Sequence, residues 1–279
     1  MLKKYLFGAK SYFRLHLDRI RNFKGKVSEI EYGKEQGGIV DSWISSLNEN
    51  GFVVVEDFFD PKLCQESVTN LDSILDEHHD DCWKDPLNSD NRMFGINFKY
   101  DVAEQFLKNS LFSETVCRYM NWQSLVGYTM VNRVIHRENN PGSGGGWHRD
   151  SARYRDLKFI LYLTDVSTEN GPFQYVRQSN NISERTKLIL KYGSGFAGKR
   201  FNDETAKIVE SLEDNCELTG KAGTLIIADT SGIHRGKPLT AGKRFALTNY
   251  YWQTAAEVPP RMTEIVPDFF DPKLETILG

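Results

Sequence analysis

Between about residues 124 and 252 the apolar residues arrive mainly in short runs rich in β-branched and aromatic side chains. No other feature limits the fold of this chain so sharply. "SLVGYTMVNRVIHRE", "LKFILYLTDV", "GPFQYVRQS", "GTLIIAD" and "KRFALTNYYW" each read as a strand, with glycine or asparagine turns between them. Strands this short bury their apolar sides only against a second sheet or a layer of helices. Helical sequence is gathered in front of them. An opening strand, "GFVVV", turns at Asp60-Pro61 into a helix with Leu63, Val68, Leu71, Ile74 and Leu75 on one side, and a second helical stretch covers about 103–120. Residues 81–100, rich in Asp, Asn and Pro, read as a loop. The segment 180–215 interrupts the strands with helix-like and glycine-rich sequence, including a helix over 204–213 capped by Asn202 or Asp203. The expected fold is mainly β with flanking helices, a sandwich or barrel of the α+β class.

The 279 residues suffice for one large domain, expected over 41–260, with a basic segment 1–40 before it and a tail 261–279 after it. A net charge of -3 gives no global reason to expect a nucleic-acid partner. Cys64, Cys82, Cys117 and Cys216 form no C-x-x-C pair and read as reduced thiols of a cytoplasmic protein. No apolar run approaches the roughly 20 residues that cross a bilayer. Charge is skewed only at the amino terminus, where eight basic residues between Lys3 and Lys26 face the single acid Asp18. Leu6, Phe7, Phe13, Leu17 and Ile20 recur there at loose helical spacing, as in a helix lying on an anionic membrane surface. Gly8 interrupts that pattern and favours the plainer reading, a helix packed on the domain with its charges in water.

Within the strand-rich half, "GGGWHRDSARY" sets His148 and Asp150 one residue apart after a run of glycines, and "SGIHRG" supplies His234 between two late strands. Two imidazoles and one carboxylate on one face of an octahedral ion leave three positions open, the ligand set of non-heme Fe(II) oxygenases. Taken singly, each histidine reads as a loop residue; together they read as one metal centre with His148, Asp150 and His234 as ligands and catalytic residues. Ten positions beyond His234, Arg244 opens the last strand. A 2-oxoglutarate co-substrate needs a cation for its far carboxylate, which arginine grips with two parallel bonds. Strand alternation puts Arg244 on one face with Ala246, Thr248 and Tyr250, so Arg244 is expected to bind the co-substrate with Thr248 as a hydroxyl helper.

The chain resembles the phytanoyl-CoA dioxygenase family of Fe(II)- and 2-oxoglutarate-dependent oxygenases. The resemblance runs over about 48–252 and is carried by "GFVVVEDFFDPKLCQESVTNLDSIL", "WHRDS", "LYLTDVSTENGPFQYVRQS" and "GTLIIADTSGIHRGKP" followed by "GKRFALTNYYW". It implies a double-stranded β-helix, the jelly-roll or cupin-like core. It also implies Fe(II), 2-oxoglutarate and O2 as cofactors, iron on His148, Asp150 and His234, and the co-substrate on Arg244. Two departures stand out. Many relatives carry Pro-Gly-Ser-His where this chain has Arg177-Gln178-Ser179-Asn180, and Gly236 replaces a serine common two positions after the distal histidine. The second co-substrate contact must then come from elsewhere, and Asn132 is the candidate. Halogenating relatives lack the metal carboxylate; Asp150 is kept here, so hydroxylation is expected.

The expected reaction is hydroxylation of an unactivated C–H bond in a small-molecule, lipid-linked or sugar-type substrate, with release of succinate and CO2. Tyr128, Arg133, His136, Arg153, Tyr154 and Arg155 are candidates for a polar substrate pocket. The loop 141–146 and the insertion 180–215 are candidates for a lid. Two rival readings remain: a non-catalytic jelly roll that senses iron or 2-oxoglutarate, and a cupin-like metalloenzyme that uses no oxo-acid. Oligomeric state is not legible in the sequence.

Overall fold

A computed structural model describes residues 34–152, 154–270 and 274–277 of the chain. The basic segment before residue 34, with its proposed membrane contact, lies outside the described residues. Among the described residues, ten strands form two sheets. The larger has the order β1-β8-β5-β10-β4-β3-β2, built from β1 (Phe52–Val55), β2 (Trp83–Lys84), β3 (Asp90–Phe94), β4 (Val126–Ile135), β5 (Leu157–Tyr162), β8 (Leu225–Asp229) and β10 (Lys243–Trp252). The smaller has the order β7-β6-β9, from β6 (Phe173–Val176), β7 (Asn215–Leu218) and β9 (His234–Gly236). Every strand pair in both sheets is antiparallel. Sequence-distant strands pair as neighbours, which is the jelly-roll arrangement expected.

Alternation along β10 decides what each face of the large sheet does. Phe245, Leu247 and Tyr251 point outward and pack with Phe159, Leu161, Leu225 and Ile227 under the helices. Those helices are α1 (Lys34–Asn50), α2 (Pro61–Glu77), α3 (Asp101–Leu107) and α4 (Ser110–Met120). The other face looks into the space between the sheets. There Ile160, Tyr162, Ile226, Ala228 and Ala246 meet Phe173, Tyr175 and Leu218 of the small sheet. Pro61 opens α2 and Asp60 caps it, its carboxylate accepting from Lys62 N at 2.8 Å. The single helical stretch expected near 103–120 is two helices, because Asn109 caps a new one by accepting from Leu111 N.

Three expectations are corrected. Residues 81–100 are not a loop: β2 and β3 lie there, and β3 pairs with β4 over five residues. Its polar sequence, "DNRMF", is strand because Asp90 and Arg92 bond one another inside the sandwich, Arg92 Nη2 lying 2.5 Å from Asp90 Oδ2. His234 is not in a loop but in β9, whose three residues are too few to leave a periodicity. The helix expected at 204–213 is shorter, α6 (Asp203–Glu210), with Asn202 as the cap.

Helix α1 runs unbroken from Lys34 across the boundary expected at 40/41. Val266 and Phe270 of the expected tail are buried against the large sheet's core. The segment 180–215 forms α5 (Ile182–Tyr192) and α6, and its Phe196 and Val209 pack with Trp147, Val176 and Ile233 on the outside of the small sheet. None of the described cysteines is in a disulfide. Among the described residues, no helix is long and apolar enough to cross a membrane.

Candidate metal centre

The segment carrying the histidine–aspartate pair makes a single β-bridge to β9 through His148. His148 N donates to His234 O and His234 N donates to His148 O, both at 2.9 Å, so backbone bonding alone draws the two histidines together. Their ring centroids are 4.3 Å apart. Asp150 N donates to Thr230 O at 2.9 Å and brings the carboxylate to the same side. His148 Nε2 lies 3.7 Å from Asp150 Oδ1, and His234 Nε2 lies 3.4 Å from Asp150 Oδ2. One ligand atom from each of the three falls within 4.8 Å of the others. Positions 148, 150 and 234 thus form one cluster, as the spacing argument expected.

Each imidazole is held by its other nitrogen. His148 Nδ1 lies 2.8 Å from Gly146 O, and His234 Nδ1 lies 3.1 Å from Gly232 O. A carbonyl only accepts, so both Nδ1 atoms carry the proton and both Nε2 lone pairs face the cluster. Burial, with His234 beside it, lowers the His148 pKa to about 3, which keeps it a neutral ligand. Phe173 stacks on the His234 ring at 5.3 Å. Burial opposes the charge of Asp150, but Lys158 and His234 hold its carboxyl well below the usual carboxylate range.

The glycine run exists for close approach. Gly142, Gly144, Gly145 and Gly146 all have positive φ. A Cβ on Gly144 would meet His148 Cε1 at 2.5 Å, and one on Gly142 would meet Gly236 O at 2.1 Å. Gly236 is itself without room for a serine, since a Cβ there would lie 2.6 Å from Ser143 Cβ. The loop is also fastened. Gly236 N donates to Ser143 O at 2.9 Å, Ser143 Oγ donates to Asp90 Oδ2 at 2.9 Å, and Arg200 donates to Gly144 O at 2.6 Å. These bonds make the loop a fixed wall of the site in this conformation.

Behind the cluster the inner face of the large sheet carries Arg244, Thr248 and Asn132, the last opposite Ala246 in the register. All three are buried. Arg244 Nη1 donates to Gly171 O, yet among the described residues its Nε has no partner and no carboxylate bonds its guanidinium. Burial pushes its pKa below the ordinary arginine value. Neither Asn132 nor Thr248 makes a side-chain hydrogen bond among the described residues. Three polar side chains aimed into one space with spare bonding capacity are a binding surface awaiting a small polar molecule.

The six residues expected to line a polar pocket mostly do not. Tyr128 is on the inner face beside Tyr250. Arg133 points outward to Asp72 and Asp76, His136 to Leu239 O, and Arg155 to Tyr119 O. Tyr154 is exposed, and Arg153 lies outside the described residues. Alternation explains Arg133, which neighbours Asn132 and so must face the other way.

Sequence reasoning missed several residues that support the site. Lys158 Nζ lies 2.5 Å from Asp150 Oδ2 and 4.6 Å from the Tyr250 ring centroid. Ser179 Oγ accepts from Ile233 N at 2.7 Å, bracing the residue before His234. Asn180 Nδ2 donates to Asp229 Oδ2 at 3.3 Å. The divergent Arg177–Asn180 loop therefore buttresses the β9 entry. Arg149, between the two motif residues, is buried and donates to Ser231 O, Phe196 O and Ser179 O.

A family model described as phytanoyl-CoA dioxygenase (PhyH) matches residues 47–246. Among solved structures, the non-heme alpha ketoglutarate dependent epimerase SnoN from nogalamycin biosynthesis aligns with a TM-score of 0.55 at 14% identity, over 77% of this chain and 83% of that one. HygX from Streptomyces hygroscopicus, solved with nickel, 2-oxoglutarate and hygromycin B bound, gives 0.54 at 16% identity over 80% and 88%. EctD from S. alaskensis, solved with bound Fe, gives 0.53 at 15% identity over 82% and 79%. At such identities the likeness is one of fold. No curated protein matches the chain.

Proposed function

The chain belongs to the phytanoyl-CoA dioxygenase (PhyH) family, and from that premise we propose that it is an Fe(II)- and 2-oxoglutarate-dependent hydroxylase of a small molecule. The observation that carries this reading is the meeting of His148, Asp150 and His234, each offering one ligand atom within 4.8 Å of the others. The donor set fits a ferrous ion: two neutral imidazoles and one carboxylate, with the rest of the coordination sphere left to other ligands. When bound, the ion activates O2 with 2-oxoglutarate as reductant, so that C–H, O2 and 2-oxoglutarate become C–OH, succinate and CO2.

The chain's own residues do the positioning. Gly146 O and Gly232 O fix the imidazoles through Nδ1, and the backbone bridge between His148 and His234 sets their spacing. Arg244 holds the far carboxylate of 2-oxoglutarate through its unpartnered Nε and remaining N–H groups, with Asn132 and Thr248 along the same face. The fastened loop 142–146 excludes water from one side. Asp150 fills the position that a halide needs, which favours hydroxyl transfer.

The substrate is of small-molecule, lipid-linked or sugar type. HygX, solved with hygromycin B, shares the fold, and that likeness is the support for a small polar ligand. The test is succinate formation from 2-oxoglutarate in air with added Fe(II). Wild type is expected to form succinate and His148→Ala to form none; equal rates in the two would refute the reading.

A further inference from the structure

Strand alternation puts Lys158 on the inner face of β5, level with Tyr250 of β10, and its side chain is only 12% exposed. An ammonium in such a place persists only when paired. Its partner is one particular atom: Nζ lies 2.5 Å from Asp150 Oδ2, which also has His234 Nε2 at 3.4 Å, while Oδ1 has His148 Nε2 at 3.7 Å. Tyr250 presents its ring face to the same ammonium at 4.6 Å, which confines it from a second side. Burial opposes the charge on Lys158, but Asp150, Tyr250 and Asp156 together push its pKa above the ordinary lysine value.

A carboxylate ligates a metal through one oxygen or through both. For this triad the difference matters, because three open positions are needed for the two donor atoms of 2-oxoglutarate and for O2. Two-oxygen ligation by Asp150 would consume one of them. We propose that Lys158 is a positioning residue that engages Asp150 Oδ2 and so opposes ligation of the metal through both carboxylate oxygens at once. The inference rests on the metal reading above and deepens it. It gives the buried ammonium a task that the triad alone leaves unassigned: Lys158 keeps the co-substrate's place open.

The test uses Co(II) as a spectroscopic probe on the full chain under argon, followed by 2-oxoglutarate, in wild type, Lys158→Met and Lys158→Gln. Lys158→Met is expected to bind Co(II) nearly as wild type does, but with a weaker visible absorption as the coordination number rises. Its 2-oxoglutarate affinity is expected to fall at least about tenfold, equivalent to about 1.4 kcal/mol, because the second carboxylate oxygen would compete with the co-substrate for a coordination position. Lys158→Gln keeps an N–H donor without the charge and should restore most of both signals; it also serves if the Met variant folds poorly. Wild-type spectrum and 2-oxoglutarate affinity in Lys158→Met would overturn the proposal while leaving the metal reading intact. A Gln variant as defective as Met would support the proposal in its ionic form, since the ammonium's charge would then be what holds Oδ2. A wild type that takes up no Co(II) would overturn the metal reading itself, and this inference with it.

Discussion

At the scale of single residues, the site combines groups that could be found by counting with groups that could not. Arg244 was legible because strand alternation and its distance from His234 can be read from the sequence, and it is buried on the expected face. A buried guanidinium whose Nε lacks a partner should gain strongly from an anion, about 1.5–3 kcal/mol for charge-assisted bonds. Arg244→Met is therefore expected to remove the thermal protection that 2-oxoglutarate gives wild type, read as the shift in melting temperature with metal present. Retained protection in the variant would place the co-substrate elsewhere. Lys158 was not legible, since a lysine near the start of an apolar strand reads as an exposed end. Gly144 is a different case: its presence in a glycine run was plain, but its necessity was not. With φ at +87° and His148 Cε1 in the way, Gly144→Ala should cost about 1–3 kcal/mol of stability and weaken metal binding. Denaturant titration and a metal titration check the two effects separately; an unchanged metal affinity would mean that the loop can yield without moving the imidazole.

Among elements, the strong strands were readable and the short ones were not. β4, β5, β8 and β10 carry long apolar runs that leave a periodic signal. β3, β7 and β9 are short or polar, and they are strands because neighbours far away in sequence pair with them. The insertion is the clearest example of context acting on an element. Its residues 199–201 lie against the metal motif segment: Arg149 N donates to Lys199 O at 2.7 Å, and His148 forms a β-bridge with Arg200. The expectation of a lid over 180–215 omitted this bracing role. Arg149 ties the insertion, the Ser179 loop and the turn before His234 through three carbonyl oxygens, with no carboxylate among the described residues bonded to it. Arg149→Met is expected to leave those acceptors short of donors and to destabilise the protein by about 1–3 kcal/mol. Urea unfolding with and without metal measures this, and a loss that metal binding largely reverses would locate the damage at the bridge. No loss at all would mean that water takes over the three carbonyls.

For the whole molecule, the two-sheet sandwich explains why chemistry scattered between Asn132 and Thr248 meets in one place. The small sheet delivers His148 and His234 by direct backbone pairing, and the inner face of the large sheet delivers Lys158, Asn132, Arg244 and Thr248 opposite them. The helical layer closes the outer face of the large sheet and takes no part in the cluster. The mainly β class and the jelly roll followed from the strand-rich half and the family resemblance. The substrate wall did not follow, because which way Arg133, His136 and Arg155 point depends on registers and partners that the sequence does not display. The account turns on a single metal centre shared by the two sheets. Anaerobic Fe(II) titration by calorimetry tests it most directly. The account predicts one ion bound per chain in wild type and none at the same concentrations in His234→Ala. Undiminished binding in that variant would contradict it.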